Sequence, residues 1–353
     1  MLSRIAEEIS ANGGWIPFAR YMELVLHEPG LGYYAGGAQK FGAAGDFVTA
    51  PELGSLFART LARQLREFPF NRVLEVGAGS GALAETLLEH LNCEYLILET
   101  SPDLRERQRE RLKGKATWID ALPERFHGIV IANEVLDAMP VHAVAWTPEG
   151  IMERGVALEH GDLVWRQRPA AGELLERARA IAVQPRYESE IGLIGQAWMR
   201  RLGECLEQGA IFIIDYGFAQ HEYYHPQRSM GTLMCHHRHQ AHGEVFFQPG
   251  RQDVSAHVDF SALAVAAREA GLDVLGYATQ AQFLVNCGIT DVLGEANVEN
   301  ALHYAPLAAE AQKLLSPAEM GELFKVLAVG RTASRDAKLP LTGFTRGDRS
   351  HTL

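Results

Sequence analysis

Three glycines at alternate positions follow a short apolar stretch of the chain. Residues 75–81 read EVGAGSG, end the run RVLEV at residues 72–76, and precede a helical pattern. Glycines at such a strand-to-helix junction let the backbone turn tightly and approach a ligand closely. We therefore predict a cofactor-binding loop formed by Glu75, Gly77, Ala78, Gly79 and Gly81. A tight turn without a ligand is the alternative.

Acidic residues end the two strands predicted after this loop. Glu99 follows residues 95–98, about 20 positions beyond the first glycine, where a carboxylate can accept hydrogen bonds from ribose hydroxyls. Asp120 follows residues 116–119, and we predict that it contacts an adenine amino group in the same way. For Glu99 taken alone, a solvated acid at a strand end is the alternative.

The spacing of the loop separates two classes of cofactor. A dinucleotide fingerprint has the form GxGxxG and places a pyrophosphate on a helix N-terminus. Here the third glycine comes one residue early, and the carboxylate of Glu75 would oppose a pyrophosphate. The sulfonium and ammonium of S-adenosylmethionine suit acidic surroundings, so we predict this methyl donor. An NAD-dependent oxidoreductase is the less favoured alternative.

A second polar group follows the next two predicted strands. Asn133, Glu134 and Asp137 come directly after residues 128–132, and Asp215 ends the strand at residues 210–215. Open α/β sheets bind ligands at the carboxyl ends of their strands, so these side chains are expected around one crevice. Carboxylates there could orient a cationic acceptor. For Asp137, a helix cap is the alternative.

The elements that must position these residues alternate between strand and helix patterns. Such alternation favours an α/β fold with a parallel sheet and helices on both faces. The strand at residues 210–215 comes late, because residues 141–208 read first as hairpins and then as helices. Thr49 and Glu52 have the spacing of a capping box, which predicts a helix over residues 51–65.

This pattern predicts a division of the chain into four parts. Residues 1–68 are expected as an N-terminal helical and lid segment packed on the core. Residues 69–140 and 209–331 are expected as the sheet core, and residues 141–208 as an inserted subdomain of hairpins and helices. Residues 337–353 are polar, contain glycine and proline, and are expected to be a loose tail.

Composition excludes several classes of protein. The 353 residues carry 33 basic and 44 acidic side chains, a net charge of −11 that argues against broad binding to nucleic acid. No apolar run reaches the roughly 18 residues of a membrane span. The first residues resemble neither a secretory signal nor a transit peptide, and the four cysteines are far apart. We therefore expect a cytoplasmic location.

Histidines concentrate late in the chain. Seven of the 14 histidines lie between residues 221 and 257. Imidazole is a common ligand of zinc, but residues 235–239 have no standard zinc spacing and no helical pair of histidines lies beside an acid. We therefore predict no metal site.

Several separated blocks resemble the MidA-like methyltransferases. They are FARYM at residues 18–22, GLGYY at 30–34, GDFVTAPE at 45–52, the glycine loop, NEVLDAMPV at 133–141, DYG at 215–217, DVSAHVDF at 253–260 and LFKVLAVG at 323–330. The resemblance runs from about residue 16 to residue 331. This family includes a mitochondrial assembly factor that methylates an arginine on a respiratory complex I subunit.

The resemblance implies a fold, a reaction and further site residues. The implied fold is the class I methyltransferase sheet of seven strands, with insertions after strands 4 and 5 and an antiparallel last strand at residues 323–329. Residues 45–52 would cover the methyl donor. The implied reaction is methylation of a protein side chain by S-adenosylmethionine, with arginine as the acceptor and a respiratory-complex subunit as one candidate partner. A non-catalytic assembly factor that binds the cofactor is the alternative, and the oligomeric state is left open, a dimer being one option.

The resemblance and the residue types together give two sets of site residues. The predicted catalytic residues are Glu134, Asp137, Asp215 and His257. The predicted cofactor-binding residues outside the glycine loop are Gly45, Asp46, Phe47, Thr49, Glu99, Asp120 and Asn133. For Asp259, which belongs to the same block as His257, a substrate-facing role and a helix cap both remain open. Tyr33 and Tyr34 could line an acceptor channel.

Overall fold

The computed structural model describes residues 1–36, 49–238, 240–297, 299–331 and 340–353. The strands of these residues form three sheets. In chain order the strands are β1 (Ile16–Pro17), β2 (Arg72–Val76), β3 (Glu94–Leu98), β4 (Thr117–Ile119), β5 (Phe126–Asn133), β6 (His142–Thr147), β7 (Gly150–Glu159), β8 (Asp162–Pro169), β9 (Tyr187–Ile191), β10 (Leu206–Phe218), β11 (Met234–His237), β12 (Gln240–His242), β13 (Asp253–Ser255), β14 (Val258–Asp259), β15 (Asp273–Thr279) and β16 (Phe324–Arg331).

The helices lie mainly between these strands. In chain order they are α1 (Leu2–Ala11), α2 (Phe18–His27), α3 (Ala50–Leu53), α4 (Leu56–Leu65), α5 (Ala82–His90), α6 (Pro102–Leu112), α7 (Gly172–Arg179), α8 (Leu193–Cys205), α9 (Gln220–Tyr223), α10 (Phe260–Glu269), α11 (Gln280–Asn286), α12 (Ile289–Gly294), α13 (Ala301–Leu315) and α14 (Met320–Leu323). Within the described ranges, no helix is long and apolar enough to cross a membrane.

The main sheet carries the predicted α/β architecture. Its strand order is β15-β16-β10-β5-β2-β3-β4, with the short β14 pairing to β10. Five neighbouring strands run parallel, in the order β10, β5, β2, β3 and β4. Strand β16 is antiparallel to both β10 and β15. Continuous apolar runs such as Ile211–Ile214 are buried on both faces, as parallel strands require. The carboxyl ends of the parallel strands therefore meet along one edge.

Helices cover both faces of this sheet. On one face, Phe57 of α4, Leu87 of α5 and Phe283 of α11 pack into the larger apolar core. On the other face, Met199 of α8 and Leu263 of α10 pack against Val130 and Ile213 of the sheet. The core is thus three layers thick, and the sheet is held rigidly between the two sets of helices.

A second sheet includes a strand from the N-terminal segment. Strands β6 to β9 form this inserted sheet together with β1, whose Ile16 and Pro17 pair with Val156 and Gly155 of β7. Ile5 and Phe18 are buried in the same apolar cluster as Val156. Residues 1–36 therefore pack with the inserted sheet, while α3 and α4 pack on the main sheet. Residues 1–68 were predicted to pack as one segment on the main sheet, but they are divided between the inserted sheet and the main sheet.

A small third sheet follows the fifth parallel strand of the main sheet. Strand β11 lies between β12 and β13, and β11 pairs antiparallel with both. Cys235 and Val254 of this sheet are buried against residues 1–36, and the hydroxyl of Tyr21 donates a hydrogen bond to the carbonyl of Val245 at 2.8 Å. This sheet is thereby fixed above the carboxyl edge of the main sheet.

The helix predicted over residues 51–65 is broken in two. Helix α3 ends at Leu53 and α4 begins at Leu56, and the Thr49 side chain makes no capping hydrogen bond. The first amides of α4 instead donate to Glu310 Oε1, from Leu56 at 2.8 Å and Phe57 at 3.3 Å. The capping-box prediction was wrong, because a carboxylate from the distant α13 takes that role and stabilises a separate helix N-terminus.

The end of the chain is packed rather than loose. Leu341 and Phe344 are 1% and 2% exposed and belong to the larger core of the main sheet. The amide of Arg349 donates to the carbonyl of Tyr277 at 2.6 Å. The prediction of a loose tail is therefore wrong for residues 340–353, because two apolar side chains are buried in the core and hydrogen bonds tie the segment to the main sheet and its helices.

Candidate active site

A cavity of about 470 Å³ lies at the carboxyl edge of the main sheet. Its walls come from the loops after β2, β3 and β5, from α3, and from β10, β11 and β13. The volume falls in the range of cofactor and substrate sites. The predicted crevice is therefore present, and the third sheet forms part of its wall.

The glycine loop forms one end of the cavity. Gly77, Gly79 and Gly81 have φ angles of 65°, 54° and 82°, a region that residues with a Cβ atom rarely adopt. Gly77, Ala78 and Gly79 line the cavity, whereas Gly81 lies at the N-cap of α5. A Cβ atom at Gly77 would lie 3.0 Å from Val135 Cγ2. Glycine here allows two loops to approach closely.

Glu75 and Glu99 both line the cavity and are nearly buried. The Tyr95 hydroxyl donates to Glu75 Oε2 at 2.8 Å, and burial raises the pKa of Glu75 to about 7. The backbone amide of Ser101 donates to Glu99 Oε1 at 2.9 Å, and Gln108 Nε2 donates to Oε2 at 3.0 Å. Burial raises the pKa of Glu99 as well. Both carboxyls are fixed in orientation before a ligand binds.

Asp120 does not reach the cavity. Its side chain is 89% exposed and accepts a hydrogen bond from Arg105 Nη1 at 2.7 Å. Strand β4 lies at the edge of the main sheet and ends one residue earlier, which leaves Asp120 on the surface. The structure therefore does not support the predicted adenine contact.

The segment before α3 contributes in part. Thr49 lines the cavity, as do Pro51 and Glu52, whose carboxylate accepts a hydrogen bond from the Ser80 hydroxyl. This bond ties α3 to the glycine loop. The other predicted residues of this segment, Gly45, Asp46 and Phe47, lie outside the described residues.

Asn133 and Glu134 lie where β5 ends. Glu134 has a φ of 53°, a strained conformation for a residue other than glycine and one found often at functional sites. Its Oε1 accepts hydrogen bonds from the amide of Ala50 at 3.3 Å and from Asn133 Nδ2 at 3.2 Å. Burial, together with the nearby charge of Asp137, raises the pKa of Glu134 to about 8. In this conformation Glu134 lines the cavity.

Asp137 also lines the cavity, three residues later. Its Oδ2 accepts a hydrogen bond from the Tyr216 hydroxyl at 2.6 Å, and burial raises its pKa to about 6. Its buried Oδ1 has no hydrogen-bond partner among the described residues. The backbone amides of Asp137 and Ala138 act in the opposite direction to burial and lower this pKa, so the carboxyl is stabilised partly from within its own loop. The helix-cap alternative is not observed, because no helix begins here.

Asp215 has a different place from the one predicted. It is fully buried and does not line the cavity. Its Oδ2 accepts from the amides of Val135 at 3.2 Å, Leu136 at 3.0 Å and Asp137 at 3.4 Å. The prediction that Asp215 faces the acceptor was wrong. Its carboxylate lies beneath the loop that carries Glu134 and Asp137, and fixes that loop through backbone donors.

His257 lines the cavity, and Asp259 does not. Burial, together with the positive charges of Arg228 and Lys325, lowers the pKa of His257 to about 4, so the imidazole is neutral at pH 7. The ring packs edge-on against Tyr216 and Phe218, at 5.2 Å between centroids in each case. Asp259 Oδ1 accepts from the amide of Ala262 at 3.1 Å, which is the helix-cap alternative.

Sequence reasoning missed several side chains of this cavity. Tyr216, Asp253 and His236 line it, and Tyr34 does so where Tyr33 does not. Tyr216 and Asp253 both lie inside the sequence blocks DYG and DVSAHVDF, so the resemblance of these blocks could have identified them as site residues. Among the described residues, which exclude His239, no three His, Cys, Asp or Glu side chains form a group that could hold a metal ion.

The charged side chains that line the cavity are acidic. Six of the described lining side chains are acidic and none is a lysine or an arginine; the acids are Glu52, Glu75, Glu99, Glu134, Asp137 and Asp253. Buried like charges disfavour one another unless a cation binds among them. The lining therefore fits S-adenosylmethionine, whose sulfonium and ammonium are cationic, and it leaves acidic groups for a second cation.

An α/β sheet with this glycine loop and an acidic cavity at its carboxyl edge defines a methyltransferase that uses S-adenosylmethionine. The chain belongs to the family described as "putative S-adenosyl-L-methionine-dependent methyltransferase", whose model matches residues 54–278. The prediction of the family, of an enzyme and of its cofactor is confirmed.

Solved and curated relatives agree with this assignment. A crystal structure from Burkholderia thailandensis, of a protein described as a "likely methyl transferase" bound to S-adenosyl-homocysteine, is 50% identical with a TM-score of 0.95, covering 100% of this chain and 96% of that one. The mitochondrial protein arginine methyltransferase NDUFAF7 of Danio rerio is 29% identical and covers 98% and 92% of the two chains. The Homo sapiens protein of that name is 26% identical and covers 93% and 83%.

The same names contradict the cytoplasmic location predicted from the sequence. The relatives from Danio rerio, Drosophila melanogaster and Homo sapiens are all given as mitochondrial. The prediction of a cytoplasmic location was therefore wrong. It rested on the composition of the first residues, which does not determine where a chain is located.

Proposed function

We propose that this protein methylates an arginine side chain of a protein substrate. The observation that carries the proposal is the acidic lining, to which the loop after β5 contributes Glu134 and Asp137 beside the carboxyls of Glu75 and Glu99. The arginine guanidinium stays protonated up to a pKa above roughly 12, and its planar donors match carboxylate oxygens. Curated relatives that cover most of the chain are named protein arginine methyltransferases.

The methyl donor would be held by the glycine-loop end of the cavity. The backbone at Gly77 and Gly79 allows close approach, and Glu99 offers carboxylate oxygens to the ribose hydroxyls. Glu75, held by Tyr95, offers a carboxylate to the ammonium group. When bound, S-adenosylmethionine supplies a methyl group on a positively charged sulfur. The protein must then align the acceptor nitrogen with that methyl and exclude water.

The acceptor residues would orient the guanidinium and take up its proton. Asp137, fixed by Tyr216, lines the cavity and offers its carboxylate to the guanidinium. Glu134 is the proton acceptor in this proposal: burial raises its pKa to about 8 in the empty cavity, and the positive charges of donor and acceptor favour its ionised form once both are bound. His257 stays neutral and adds no positive charge beside the two cations.

The proposal extends to the finer architecture. We assign the path of seven strands in the main sheet to the class I methyltransferase arrangement, with the inserted sheet after β5 and the third sheet after β10 as its insertions. A respiratory-complex subunit remains a prediction for the substrate, and the oligomeric state remains open.

Methyl transfer to a proteome extract tests the reaction. The purified protein is incubated with radiolabelled S-adenosylmethionine and an extract, and the labelled proteins are hydrolysed to amino acids. Label in methylarginine is expected with the wild type and with Glu124→Gln, an exposed control. Label should be nearly lost with Glu134→Gln. Label confined to another amino acid, or no label, would reject arginine as the acceptor.

A further inference from the structure

Helix α6 carries one polar residue among the leucines of its buried face. Leu104, Gln108 and Leu112 follow one another at intervals of four residues, and all three side chains are buried. Residues four apart lie on the same face of a helix, so this pattern favours an apolar residue at the middle position. A buried amide is costly unless its hydrogen bonds are made. The burial of Gln108, which is 0% exposed, must therefore be compensated by its partners.

Both polar atoms of the Gln108 amide have partners. Nε2 donates to the carbonyl of Gly79 at 2.9 Å and to Glu99 Oε2 at 3.0 Å, and Oε1 accepts from Trp118 Nε1 at 2.8 Å. An indole N–H can only donate, whereas a carbonyl and an ionised carboxylate can only accept. Trp118 therefore fixes which way the amide points, so that both of its N–H groups face the glycine loop and the carboxylate.

These partners come from three separate strands of the main sheet. Gly79 lies in the loop after β2, Glu99 directly follows β3, and Trp118 lies in β4. Gly81 also packs against this side chain, because a Cβ atom there would lie 3.4 Å from Gln108 Cγ. One side chain of α6 thus joins the glycine loop to the carboxylate that follows the next strand.

The bond from Gln108 stabilises the charged form of Glu99. Burial raises the pKa of Glu99, while the hydrogen bonds from Ser101 and Gln108 lower it. Each of these two donors binds a different oxygen, which fixes the plane of the carboxylate. A carboxylate has about four acceptor positions, so Glu99 keeps capacity for the hydroxyls of a ligand in the cavity that it lines.

We propose that Gln108, oriented by Trp118, is a positioning residue for the cofactor, holding Glu99 at the glycine loop in the orientation that the ribose hydroxyls require. This inference rests on the proposed function, in which Glu99 binds the ribose. Neither Gln108 nor Trp118 lines the cavity, so both act through Glu99 and the loop.

The test compares two ligands by calorimetry: S-adenosyl-homocysteine and its dideoxy analogue, which lacks both ribose hydroxyls. Gln108→Leu removes the amide and continues the apolar pattern of α6. It should bind S-adenosyl-homocysteine at least about tenfold more weakly, the loss expected when a charged group loses a hydrogen bond. The dideoxy analogue should lose much less, since it has no hydroxyl for Glu99 to bind. Gln312→Leu, at an exposed position on α13, should bind both ligands like the wild type.

Two further variants show whether Gln108 acts through Glu99. In the Glu99→Ala protein, adding Gln108→Leu should change the affinity for S-adenosyl-homocysteine little, because changes that act through one residue are not additive. Trp118→Phe keeps an aromatic ring but removes the N–H that orients the amide. It should weaken binding of S-adenosyl-homocysteine more than binding of the dideoxy analogue, and it provides the same test if Gln108→Leu does not fold.

The results also separate this inference from the proposed function. Equal losses for the two ligands in these variants would overturn the inference, because the amide would then support the loop and not the ribose contact; unchanged affinities would overturn it too. A wild-type preference for the hydroxyls that survives in Gln108→Leu would reject the inference alone. Equal binding of both ligands by the wild type would reject the ribose contact of Glu99 and the inference together. None of these results depends on the acceptor, which the extract assay tests separately.

Discussion

Replacing Glu134 by glutamine separates the charge of this side chain from its size. Glutamine retains an oxygen that can accept from the amide of Ala50 and from Asn133 Nδ2, as Oε1 of Glu134 does at 3.3 and 3.2 Å. It loses the charge that orients a guanidinium and the group that takes its proton. We expect methyl transfer to fall by about two orders of magnitude or more, with affinity for S-adenosyl-homocysteine close to wild type.

The same substitution should stabilise the protein at high pH. Burial raises the pKa of Glu134 from its ordinary 4.5 to about 8, so the folded state holds a proton that the unfolded state releases between these values. Stability therefore falls as the pH rises from 4.5 to 8. At pH 7 the cost is up to about 3 kcal/mol, at about 1.4 kcal/mol per pH unit. Because the carboxyl faces a cavity open to solvent, we expect about 1–2 kcal/mol.

Thermal melting across pH tests this reasoning. The melting temperature of Glu134→Gln should match that of the wild type near pH 4.5 and exceed it by a few degrees above pH 8. Glu124→Gln should follow the wild type at every pH. A glutamine variant that is less stable at all pH values, or that loses S-adenosyl-homocysteine, would show that the carboxylate holds the structure or the cofactor. Full activity of the variant would remove the carboxylate mechanism.

Three further substitutions test other parts of the site. Gly77→Val should abolish binding of S-adenosyl-homocysteine, because φ is 65° and a Cβ atom would press on Val135; unchanged affinity in calorimetry would contradict the loop assignment. Glu99→Ala should weaken that binding by about 1–3 kcal/mol through lost ribose contacts, and an effect near zero would make Glu99 a structural acid. Asp215→Asn should lower the free energy of unfolding by about 1.5–3 kcal/mol in urea denaturation, since it places an amide among backbone donors, and unchanged stability would contradict its positioning role.

The parallel strands and the glycine loop could be predicted because their signals are local. Strands such as β2 and β5 are buried on both faces, so they appear in the sequence as continuous apolar runs between helical patterns. The loop at Gly77 requires a backbone conformation that glycine favours. Strand ends were less exact: β10 runs from Leu206 to Phe218, well beyond the predicted residues 210–215.

The error at Asp215 shows a limit of this kind of prediction. Side chains alternate between the two faces of a strand, so a residue and its neighbour point in opposite directions. Tyr216 faces the cavity and Asp215 faces the loop beneath Glu134. The sequence places both residues at the end of a strand, but only the register against β5 and β16 decides which one meets the ligand.

The N-terminal segment shows a second limit. Strand β1 has two residues, and it exists only because Ile16 and Pro17 meet Val156 and Gly155 far along the chain. A pairing across such a distance leaves no local pattern in the sequence. The packing of residues 1–36 in one apolar cluster with the inserted and third sheets follows from contacts of this kind.

The proposed reaction explains why one carboxylate would be insufficient. The sulfonium of the donor and the guanidinium of the acceptor are both positive and must come within contact distance. At about 4 Å their repulsion is about 4 kcal/mol in surroundings of intermediate polarity, and it would be larger in a drier cavity. A single acid could offset one cation, but the reaction also requires an ionised group to accept a proton. In the proposed reaction, Glu134 and Asp137 would supply charge on the acceptor side, while Glu75 and Glu99 would do so at the glycine loop. Burial raises the pKa values of both Glu134 and Asp137, and for Glu134 the charge of Asp137 adds to the shift, so binding of a cation beside these acids would favour their ionised forms.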